Sequence, residues 1–177
     1  MNAAIFTRRL LACAAFVCAA LALPAGAQTL KPPLSHLNWM LGTWTCSGTV
    51  SIDGKNPRAV PSSTFVFTPG TGGGIMVDRE VSGAVRSTGH LYFNGRQWVD
   101  DVVATSPKGT STYSFTGEDV DVGSDHVDLK GSGNSRGAQV NVRLVRKRTG
   151  ENTFHEASYA SVGGDWHQIE DVSCKRA

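Results

Sequence analysis

The sequence predicts an all-β protein: a closed up-and-down antiparallel barrel of about ten strands with a short N-terminal helical lead-in. Three observations carry this. From Thr43 onward, apolar and polar residues alternate with period two. Turn residues recur about every 8–12 positions, the rhythm of sandwiches and barrels. The segments between strands are short, so sequence neighbours pair antiparallel, and a meander of many strands loses its open edges most simply by closing.

The first element, residues 1–27, has the three parts of a signal peptide. Arg8 and Arg9 give the positive start, Leu10 to Leu23 the apolar stretch, and Pro24-Ala25-Gly26-Ala27 a small-residue cleavage site before Gln28. An apolar run of about 14 residues is short for a membrane span of roughly 20. Neither Cys13 nor Cys18 stands at the end of that run, which argues against lipid attachment. Cleavage would leave a periplasmic or secreted chain with no membrane span. The 17 Lys and Arg and 15 Asp and Glu of the whole chain become 15 against 15 once Arg8 and Arg9 are removed. A neutral surface makes no case for nucleic acid or an anionic membrane as partner.

Residues 28–42 read as a linker and lead-in. Leu30-Lys31-Pro32-Pro33 is extended, and Ser35 caps a short helical piece, His36 to Leu41, that stops at Gly42. Residues 43–177 form the barrel domain, with strands expected near 43–51, 62–68, 74–82, 84–93, 96–105, 109–116, 120–130, 138–148, 152–162 and 164–174. Alternation is cleanest at Ala138, Val140, Val142 and Leu144. Asn94-Gly95 is the type I′ hairpin signal, and Ser106-Pro107-Lys108-Gly109, Thr149-Gly150-Glu151-Asn152 and Gly163-Gly164 are further tight turns. Cys46 and Cys174 lie near the two ends of the domain. They have no C-x-x-C spacing and no clustered metal-ligand partners, so a disulfide stapling the first strand to the last is expected.

Leu41-Gly42-Thr43-Trp44-Thr45-Cys46-Ser47-Gly48 resembles the G-x-W opening of the calycin superfamily, which holds lipocalins, fatty-acid-binding proteins and nitrobindins. The match rests on Gly42, Trp44 and Gly48. With Gly163-Gly164-Asp165-Trp166 and the closing Cys174-Lys175-Arg176, the chain looks most similar to an uncharacterised bacterial lipocalin-like domain family. The resemblance implies Trp44 packed at the barrel floor. It also implies a haem alternative, because nitrobindins ligate haem through a last-strand histidine and His167 is the last-strand histidine here.

Chemistry-bearing motifs are sparse. Gly133-Asn134-Ser135-Arg136-Gly137 spells a nucleophile elbow, yet it falls in an expected hairpin loop and not at a strand-to-helix turn. Gly70-Thr71-Gly72-Gly73-Gly74 lacks the Lys-Ser/Thr and the following helix of a phosphate loop. Asp100 and Asp101 point to opposite faces of a strand and cannot share a substrate, although one can point inward. The basic run Arg143 to Arg148 reads as a solvated strand end. His36, His90, His126, His155 and His167 show no metal-ligand spacing, so no metal is expected. Polar residues within strands, Asp78, Glu80, Asp100, Glu156 and Glu170 among them, read mostly as outer-face groups.

No catalytic cluster emerges, and the expectation is an exported binding module, not an enzyme, holding a small, mostly apolar molecule in the barrel. Trp98, Tyr159 and His167 are the candidate ligand contacts, with no obligate cofactor. The rival readings are a haem-binding nitrobindin-like or isomerase-like enzyme in the same cavity, and a filled barrel serving protein interaction.

Overall fold

The computed structural model describes residues 34–51, 55–81, 85–118, 121–162 and 164–177. The expected signal peptide and the linker before Leu34 lie outside the described residues. A 3-10 helix, Leu34–Met40, leads into β1 (Gly42–Val50). Nine strands follow: β2 (Arg58–Pro69), β3 (Ile75–Val81), β4 (Val85–Phe93), β5 (Trp98–Ser106), β6 (Gly109–Gly117), β7 (His126–Ser135), β8 (Ala138–Gly150), β9 (Thr153–Val162) and β10 (Asp165–Arg176). Each pairs antiparallel with its sequence neighbours, and β1 pairs with β10, closing a ten-stranded barrel. Among the described residues no helix is long and apolar enough to cross a membrane.

The turns show where local chemistry acts. Asn94-Gly95 is not a two-residue turn: only Gly95 has positive φ, and the β4–β5 loop runs over four residues. The Asn94 side chain organises it, with Oδ1 accepting from the Arg96 and Gln97 backbone N–H groups at 3.0 and 2.9 Å. The type I′ signature lies instead at Arg136-Gly137, both at positive φ (54° and 88°), with Asn134 Oδ1 accepting from Gly137 N at 2.7 Å.

The largest departure from expectation is β7, which begins at His126 and runs through Gly131-Ser132-Gly133 to Ser135 instead of stopping near residue 130. The glycines are strand residues because β6 and β7 approach too closely for side chains. A Cβ on Gly131 would stand 1.9 Å from the Ser114 carbonyl oxygen, and one on Gly133 would stand 2.4 Å from the Tyr113 ring.

Alternation then sorts the side chains. Trp44 and Cys46 on β1, Phe65 and Phe67 on β2, Leu129 on β7 and Leu144 on β8 are all buried within the barrel. The end of the barrel nearest the 3-10 helix is packed solid: Phe154 meets Trp44, Trp39, Phe65 and Phe67 edge-on at 4.9–6.3 Å. Trp44 is fully buried, and its indole N–H donates to the Met40 carbonyl at 2.7 Å. Arg176 closes this floor from β10, its guanidinium 4.2 Å from the centre of the Trp44 ring while donating to the Leu41 and Trp39 carbonyls.

Candidate functional site

Above the floor a layer of charged side chains interrupts the apolar interior. The register aligns Phe65 with Arg79, Leu91 with Asp100, Val127 with Arg146, Arg146 with Glu156, and Ser158 with Glu170. Residues paired across an antiparallel ladder share a face, so five ionisable groups enter the interior as one layer. Arg146 donates from Nε to Glu156 at 2.5 Å and from a terminal nitrogen to Asp100 Oδ2 at 3.3 Å. Arg79 makes a two-pronged pair with Glu170, one prong at 2.8 Å. Both guanidinium groups lie over the aromatic floor, Arg79 at 4.7 Å from the Phe65 ring centre and Arg146 at 5.6 Å from that of Phe67.

Buried charges persist only when paired, and pairing sets their protonation. Burial pulls the Arg146 guanidinium down, but Glu156 and Asp100 outweigh it and raise its pKa. The Arg79 guanidinium is likewise lowered by burial and raised more by Glu170. At Asp100 burial wins over Arg146, so its carboxyl is held above the usual carboxylate range.

Beyond this layer, toward the end where β3 passes to β4, lies a cavity of about 220 Å³. Its wall is mainly apolar, including Phe65, Val77, Val102, Phe115 and Leu144, with Arg79, Arg146, Glu156 and Glu170 among its polar groups. A ten-stranded barrel is wider than the eight-stranded size that side chains alone fill, which explains why packing at the floor does not extend through the whole interior.

The residues singled out from sequence scatter around this site. Trp98 is buried, but in the floor beside Phe93 and edge-on to His36, and it does not border the cavity. Tyr159 borders it, with Arg143 5.7 Å from its ring centre. His167 is exposed on β10 opposite Ala160 and does not border the cavity. Cys46 and Cys174 stand directly opposite each other across the β1–β10 seam, with sulfurs 1.96 Å apart. Trp166 is exposed, whereas Phe115 lines the space together with Tyr159.

Two sequence readings are corrected. Arg146 is no solvated strand end: it is 4% exposed, at the centre of the charged layer. Asp100 and Glu156 are likewise buried, whereas Asp78, Glu80 and Asp101 do face solvent. The signal was present in β8, because the alternation that puts Val142 and Leu144 inside continues to Arg146.

Fold and site together define a closed ten-stranded antiparallel barrel with a packed floor, a buried charged layer and a small cavity above it. No family model matches the chain, and no curated protein matches it. Among solved structures, it is similar to a protein of unknown function from the DUF3598 family of Nostoc punctiforme, at 15% sequence identity and a TM-score of 0.44. That similarity covers 85% of this chain and 51% of the other, so this chain spans about half the length of that protein.

Proposed function

We propose that this chain is an exported, lipocalin-like binding protein that holds a small, mostly apolar molecule in its barrel. The cavity carries the reading. Its volume, about 220 Å³, lies between a cavity of about 150 Å³ that admits benzene and the roughly 300–1,000 Å³ of pockets for drug-sized ligands. A single ring or a short chain fits that range. The buried Trp44 after Gly42 and the Cys46–Cys174 pair accord with the lipocalin-like and exported parts of the reading.

Haem fits poorly. The volume is below the drug-sized range, and among the described residues no histidine borders the cavity.

Thermal shift against toluene, indole, naphthalene and octanoate tests the proposal. A ligand that binds only the folded state stabilises it by about 2.7 kcal/mol at a hundredfold excess over Kd, which raises Tm by several degrees. Ala104→Phe, which fills the space from its wall, should abolish the shift. No shift with any probe, or a shift that survives Ala104→Phe, would overturn the reading.

A further inference from the structure

The two ion pairs of the charged layer differ in how far each is engaged. Between Arg79 and Glu170 both terminal nitrogens meet both carboxylate oxygens, so that pair is closed on itself. Between Arg146 and Glu156 there is a single bond, Nε to Oε2 at 2.5 Å, while Nη1 of Arg146 reaches Asp100 at 3.3 Å. Nη2 of Arg146 and Oε1 of Glu156 have no hydrogen-bond partner among the described residues, yet unlike Nε of Arg79 and Oδ1 of Asp100 they are not fully enclosed. Arg146 and Glu156 line the cavity and are only 4% and 3% exposed, so the surface these two atoms keep opens onto that cavity.

This donor and this acceptor belong to one bonded pair, so they lie close together in a wall that is otherwise mainly apolar. The pair is matched in charge, and so is Arg79 with Glu170. Asp100 does not border the cavity, its Oδ1 is enclosed, and burial holds its carboxyl above the usual range, which favours the uncharged form. A ligand with a charge of its own would therefore add a buried charge with no opposite left to match it. A purely apolar ligand would leave Nη2 and Oε1 dry and unpaired. A hydroxyl group avoids both penalties, because its oxygen can accept from one atom while its hydrogen is donated to the other.

Building on the cavity as a ligand site, we propose that it takes a small uncharged alcohol whose body is one apolar ring or a short chain, with the hydroxyl set between Arg146 and Glu156. The hydroxyl oxygen accepts from Nη2 of Arg146, and the hydroxyl hydrogen is donated to Oε1 of Glu156. The hydrocarbon body lies against Val77, Val102, Phe115 and Leu144. Each bond has an ionised partner, which makes it stronger than a bond between neutral groups. An ether in the same place keeps the bond from Arg146 and loses the one to Glu156, leaving Oε1 without a partner.

Titration calorimetry with 2-phenylethanol, its isomer benzyl methyl ether, 2-phenylethylamine and phenylacetate separates these roles with probes of similar size. The alcohol should bind about tenfold more tightly than the ether, the size expected of a hydrogen bond to a charged group. The amine and the acid should both bind more weakly than the alcohol. In Glu156→Gln the amide oxygen keeps the bond from Arg146 and the amide nitrogen turns to the cavity, so the ether should reach the alcohol's affinity. Glu80→Gln, on the outer face, should keep the preference for the alcohol. An ether as tight as the alcohol, a charged probe that exceeds the alcohol, or a preference that survives Glu156→Gln would each overturn the proposal and leave the cavity reading standing. Failure of all four probes, or binding that survives Ala104→Phe, would overturn both. Should Glu156→Gln not fold, the alcohol-to-ether ratio of the unaltered protein decides alone.

Discussion

Asp100 links folding to pH in the direction opposite to an ordinary surface carboxylate. Its pKa is raised in the folded protein, chiefly by burial. Stability from this group is therefore fully present below its unfolded value, about 3.9, and is lost as pH rises through the folded value. Asp128 runs the other way: its hydrogen bond from Arg143 lowers its pKa, so its contribution is present above the unfolded value and disappears as pH falls. The two windows lie on either side of about pH 4. Asp100→Asn should consequently flatten the decline in Tm above pH 4 and leave the acid limb unchanged, as thermal melts from about pH 3 to 8 would record. An unchanged upper limb would remove Asp100 as its source. At this scale the sequence was half legible. Period two allows one of Asp100 and Asp101 inside and carries Arg146 inward with Leu144, but a run of four basic residues in six looks like a solvated end. Composition of the segment masked the parity of the single position.

At the scale of the strand, the seam between β1 and β10 has its own chemistry. Cys46 and Cys174 are opposed in that ladder and separated by 128 residues. In the chain-entropy model, bonding across so long a loop contributes about 4–5 kcal/mol. A chain of residues 28–177 unfolded without reductant should show no free thiol on titration, and Cys46→Ser with Cys174→Ser should lower the urea midpoint by a corresponding amount. Two reactive thiols in that chain would remove the staple. Strand positions were readable to within a few residues nearly everywhere, because each is bounded by turn chemistry. β7 was the exception, since Gly131-Ser132-Gly133 has the composition of a loop. Only the proximity of Ser114 and Tyr113 on β6 makes glycine a strand residue there, and that proximity is a tertiary fact with no mark in the local sequence. The same limit displaced the candidate site: alternation tells which face Trp98 occupies, not how deep along the barrel it sits.

For the whole molecule, nine of the ten ladders join strands adjacent in sequence, whereas β1 and β10 meet from opposite ends of the domain. Local hairpins form with little loop-closure entropy, and the seam must wait for both ends. Without β10, the same strand order leaves an open nine-stranded sheet with β1 and β9 bare along their hydrogen-bonding edges. Such edges recruit other strands. A chain ending at Gly164, without β10, should therefore associate through these edges instead of remaining a monomeric open sheet, which sedimentation would detect as a concentration-dependent rise in mass. β10 thus acts as the molecule's own blocking strand: a delay in its arrival during folding lengthens the time in which another copy can take its place.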